Sequence, residues 1–97
     1  MTAQEFWKKA SLTNVEILID DYKKYAEEET SFGLNEMYMQ DRKDFEKVVE
    51  LFRADDPEKL STFIDRMDTS PREEVVVALA KDLGKDWVSQ TLGWNVK

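Results

Sequence analysis

A chain of 97 residues makes one domain, 1–97, and can bury about 60–65% of the surface its unfolded form exposes, enough for a single modest core. Apolar residues make up 41% and charged residues 36%, too apolar for disorder, and the absence of cysteine and histidine excludes disulfides, thiolate metal sites, cysteine nucleophiles and imidazole acid–base chemistry. A net charge of −7, from 21 acids and 14 bases, repels phosphate backbones and anionic lipids, so neither direct nucleic-acid binding nor membrane binding is expected.

The opening residues, Met1-Thr2-Ala3-Gln4-Glu5, lack the basic and apolar stretches of a signal peptide, and the longest apolar run, Val75 to Ala80, is far short of a membrane span. A cytoplasmic setting is expected. Thr2 and Glu5 have capping-box spacing and predict a short helix to about Ala10. Thr13 and Glu16 repeat that spacing ahead of a helix from Asn14 to about Glu28. Its apolar stripe is Val15, Leu18, Ile19, Tyr22, Tyr25 and Ala26, widened by Ile17, with Lys23 and Lys24 on the opposite side. Glu27, Glu28 and Glu29 oppose the dipole at that helix's C-terminus. Thr30-Ser31-Phe32-Gly33 predicts a break with Gly33 as its pivot; a helix running through Gly33 is the competing reading.

The longest helical pattern runs from Leu34 to about Arg53, with Leu34, Met37, Tyr38, Phe45, Val48, Val49 and Phe52 on one face. Asp55-Asp56-Pro57 ends it and starts the next helix, with Asp56 as N-cap and Pro57 at the first helical position. That helix places Leu60, Phe63, Ile64 and Met67 together. Ser70-Pro71-Arg72-Glu73 combines an N-cap serine, a first-turn proline and a capping-box glutamate. Val75 to Ala80 is then apolar around the whole circumference, which predicts a central helix over about 71–83 surrounded by the others. Three valines favour a strand instead, but the cap upstream and Ala78-Leu79-Ala80 downstream decide for helix. Gly84 stands where a left-handed C-cap belongs, and a last short helix from about Lys85 to Leu92 presents Trp87, Val88, Thr91 and Leu92. The expected fold is all-α: a compact bundle of five to six helices with short loops.

Little of this chain carries chemistry. No phosphate-binding loop or calcium-hand spacing is present, and no catalytic residue, metal site or cofactor is expected. Leu79-Ala80, Leu83-Gly84 and the short helix after them have helix-turn-helix spacing. Yet Gln90 occupies a position that should be apolar, and Lys85, Asp86 and Ser89 are a poor phosphate-binding set. Asp41 falls inside the apolar stripe of the longest helix. It is a candidate perturbed carboxylate, or else an edge acid paired with Arg42 or Lys43 or bonded to a tyrosine hydroxyl. Phe32, Met39, Leu51 and Trp94 are apolar residues the core stripes do not absorb, which makes them candidate protein-interaction residues. For Trp94 the bland alternative is that it covers the bottom of the bundle together with Trp87.

Elimination and these surplus residues point to a non-enzymatic protein–protein interaction module, or small regulatory or accessory protein, that docks on another protein or pairs as a homodimer. The alternative is an acidic accessory protein or nucleic-acid mimic docking on the basic face of a polymerase or nuclease. Asp20, Asp21, Glu27, Glu28, Glu29, Asp55 and Asp56 would then be its recognition elements and should converge on one face.

Overall fold

The computed structural model describes residues 3–96, and of Ala3, Gln4, Glu5 and Phe32 the backbone alone. The described residues fold into six helices and no strand: α1 (Ala3–Lys9), α2 (Thr13–Glu28), α3 (Phe32–Arg53), α4 (Pro57–Arg66), α5 (Thr69–Leu83) and α6 (Lys85–Trp87), the last continuing as a π-helical turn over Val88–Leu92. The longest connections, 10–12, 29–31 and 54–56, hold three residues each, so neighbours in sequence pack side by side. α2 lies along both α3 and α5, α3 also packs on α4, and the π turn touches α4 and α5, closing a ring around one core. α1 rests on α3.

Local chemistry explains most boundaries. Asp56 caps α4 by accepting the Lys59 backbone N–H at 3.0 Å, and Pro57 takes the first helical position. Asp55, with φ at +56°, makes the sharp turn between α3 and α4. Gly84 ends α5 with φ at +99° and ψ at 148°, not the left-handed helical region but one that only glycine visits without strain. Gly93, at φ +74° and ψ 16°, is the left-handed stop after the π turn.

Other boundaries depart from expectation. The Thr2–Glu5 box lies outside the described residues. Thr13 does not cap α2; its hydroxyl bonds Ser11 Oγ at 2.6 Å. The cap comes from Asp82 on α5, whose carboxylate accepts the backbone N–H groups of Asn14 at 2.8 Å and Val15 at 3.1 Å. The break between α2 and α3 is present but sits at Glu29–Ser31, and Gly33 lies inside the first turn of α3 instead of acting as the pivot. Glu29 serves that break: its side chain accepts the Ser31 N–H at 2.9 Å, which holds its carboxyl below the ordinary range. α5 begins at Thr69, with Asp68 preceding it, so Ser70 and Pro71 fall within its first turn. Proline is tolerated there because the first-turn N–H groups lack intrahelical partners anyway.

The core is built from Leu12, Val15, Phe45, Val48, Phe52, Leu60, Ile64, Val75, Leu79 and Val88, all fully buried. α5 buries Pro71, Val75, Val76, Ala78, Leu79 and Ala80; Val77 alone of the Val75–Ala80 run turns outward. Trp7, Trp87, Phe6 and Phe52 form an aromatic cluster with centroids 4.7–6.4 Å apart, which pins α1 and α6 to the end of α3. At the other end, the last turns of α2 and the first turns of α3 carry Tyr25, Leu34 and Met37, which remain exposed although their periodicity places them on the core stripe.

Candidate functional site

Among the described residues no three acids converge to hold a metal ion, and no helix is long and apolar enough to cross a membrane. Among the described residues the one buried acid or base is Asp41, 7% exposed on α3. Burial pushes its carboxyl up to about 6, and the negative charges of Asp44 on its own helix and Asp68 and Glu74 at and within α5 push the same way. The bases beside it in sequence give no relief: Arg42 Nε lies 2.8 Å from Glu46, and Lys43 faces solvent. The expected tyrosine contact is also absent from it, because the Tyr22 hydroxyl donates to Glu74 instead. That hydroxyl is itself held well above its usual range by burial and by the adjacent carboxylates of Glu74 and Asp41. The arrangement is a knot of acids where α2, α3 and α5 meet, with Asp41 buried inside it and Glu74 at its outer edge, exposed.

The surplus apolar residues fare differently from one another. Met39 is exposed near the start of α3, beside Arg42, Lys43 and Glu46. Leu51 is half-buried, packed against the core on the α3–α4 face next to Phe63. Trp94 is no protruding hook: it folds back, half-buried, with the Arg72 guanidinium 4.9 Å above its ring. Phe32 opens α3, and its side chain lies outside the described residues.

The candidate acids do not converge. Glu27, Glu28 and Glu29 sit at the break between α2 and α3, while Asp55 and Asp56 sit at the far end of α3. A helix of 22 residues separates the two groups, which is about 33 Å. Asp20 and Asp21 lie midway along α2, and Asp21 alone borders a furrow. Glu29 and Asp56 are moreover spent on backbone N–H groups.

What periodicity overlooked is where helices stop covering one another. Six large apolar side chains among the described residues keep 42–51% of their surface exposed: Ile17, Tyr25, Leu34, Met37, Met39 and Val77. Four of them belong to the free end of the α2–α3 hairpin. There Tyr25 packs edge-on against Tyr22, at 5.4 Å, and lies 5.5 Å from Tyr38. Ile17 and Val77 instead line a furrow between α2 and α5. Comparison with protein families, with curated proteins and with solved structures finds no match to this chain.

Proposed function

We propose that this chain is a non-enzymatic interaction module that works by docking on another protein through its α2–α3 hairpin end. One observation carries the reading: four of the six exposed large apolar side chains among the described residues, Tyr25, Leu34, Met37 and Met39, gather there. Burying a Leu, Met or Ile side chain fully gains roughly 1.5–3 kcal/mol, so a fold that leaves Leu34, Met37 and Met39 in water forgoes stability that a partner's surface restores. Methionine also suits a binding surface, because its unbranched, polarisable side chain repacks against different shapes. The acidic faces elsewhere keep the chain soluble and discourage indiscriminate association.

A photo-crosslinking residue placed at Leu34 or Met37, with Lys47 and Glu50 further along the same helix as controls, tests the reading in the chain's own cells. A discrete adduct from the hairpin positions and none from the controls is the expected result. Equal labelling from all four positions, or none from any, would remove the proposal. Sedimentation at two concentrations then separates a second copy from a different protein as the occupant.

A further inference from the structure

α2 and α5 run antiparallel, since Asn14 meets Asp82 at one end and Tyr22 meets Glu74 further along. Their outer sides leave a furrow of about 530 Å3. Its floor is apolar, with Ile17 and Leu18 from α2 and Val77 and Ala78 from α5. Ile17 and Val77 are exposed, the only large apolar side chain of each helix so placed apart from Tyr25 near the end of α2. The charges on its walls are unbalanced: Asp21, Glu73 and Glu74 against Lys81. They are also graded, with the three acids toward the start of α5 and the single cation toward its end. From Ser70 to Lys81 the α5 wall runs about 16 Å, three helical turns. A second copy of this chain laid face to face and parallel would set these acids against their equivalents, and laid antiparallel would offer the three acids a single Lys81, on a molecule already at −7.

We infer that this furrow takes a basic amphipathic helix of about three turns from a different protein, with apolar anchors one turn apart on Ile17 and Val77 and Lys or Arg beside Asp21, Glu73 and Glu74. The inference rests on the docking function proposed above but names a surface apart from the hairpin end, so either can fail alone.

The probe is a synthetic helical peptide of about 14 residues built on a Leu-Lys-Lys-Leu repeat, with a twin carrying Glu for every Lys, titrated into the isotope-labelled full chain. The basic peptide is expected to saturate the chain, to shift amide signals over 14–21 and 70–81, and to bind more weakly at about 0.5 M salt. The Ile17→Ser, Val77→Ser double variant should lose about tenfold or more in affinity while keeping its melting temperature, and the acidic twin should not bind. Should the double variant fail to fold, the charge reversals Asp21→Lys and Glu73→Lys replace it, with weakened basic-peptide binding expected. Affinity unchanged in the variants, or equal binding of the acidic twin, would overturn the inference. Shifts confined to Tyr25, Leu34 and Met37 would overturn it too, while leaving the hairpin end as the docking surface. A dimer abolished by the double variant would make a second copy the occupant and overturn it likewise.

Discussion

Two aspartates show how one residue type takes opposite roles in this bundle. Asp82 accepts three hydrogen bonds at the start of α2, two from backbone N–H groups and one from the Asn14 side-chain amide at 2.7 Å, so its charge is put to use. Asp82→Ala is expected to cost about 2–3 kcal/mol in urea unfolding, as the loss of charge-assisted caps does. Thr13→Ala, at the position whose spacing suggested the cap, should cost no more than about 0.5 kcal/mol. Asp41 is the opposite case, a carboxyl that the fold prefers neutral. In the folded chain it keeps its proton up to about pH 6, and in the unfolded chain only to near its ordinary 3.8. The folded state therefore binds more protons between those values, and stability present below pH 4 is lost as pH rises through 6. Asp41→Asn should stabilise the chain at pH 7.5 by on the order of 2 kcal/mol, with the gain vanishing near pH 4. A gain that is the same at both pH values would show that Asp41 titrates normally.

At the scale of elements, α1 is too short to persist alone and is held by what it touches. Arg53, at the end of α3, donates from Nη1 to the carbonyls of Trp7 at 3.3 Å, Lys8 at 3.1 Å and Ala10 at 2.8 Å, closing the C-terminus of α1. Its guanidinium also lies 5.4 Å from the Phe52 ring. Arg53→Met should cost about 1.5–3 kcal/mol, shift Trp7 fluorescence to the red and speed hydrogen exchange of the α1 amides first. Arg53→Lys should recover only part, because an ammonium lacks the planar fork. The start of α4 was legible in the sequence because its cap, Asp56, lies three residues from the N–H it serves. The start of α2 was half hidden because its cap lies 68 residues away on α5, and no local pattern records that. The start of α5 was misplaced by two residues because Pro71 fits any position of a first turn equally well. The stripe on α3 correctly named Phe45, Val48 and Phe52 as core, but periodicity gives a face and not its cover. Leu34 and Met37 share that face and yet stay exposed, although α2 runs alongside and the Asn35 side chain donates to its Ala26 carbonyl. Trp94 was equally undetermined, since only the fold brings Arg72 over its ring.

At the scale of the whole molecule, the extents of 45 × 23 × 22 Å follow from α3, whose 22 residues outrun the helices packed against it. The closed ring of helices encloses a core of fully buried side chains, and the hairpin end carries exposed apolar side chains. That asymmetry is the basis for reading the chain as a docking module. Methionine supplies its own reporters: Met37 and Met39 are exposed at the hairpin end, while Met67 is buried at the end of α4. Methyl NMR of methionine-labelled chain, titrated with extract from its own cells, therefore reads the docking surface and the core at once. The Met37 and Met39 methyl signals are expected to move to new positions while the Met67 signal holds its own. All three signals remaining at their buffer positions as the extract is raised to saturation, or the Met67 signal moving alone, would contradict docking at the hairpin end.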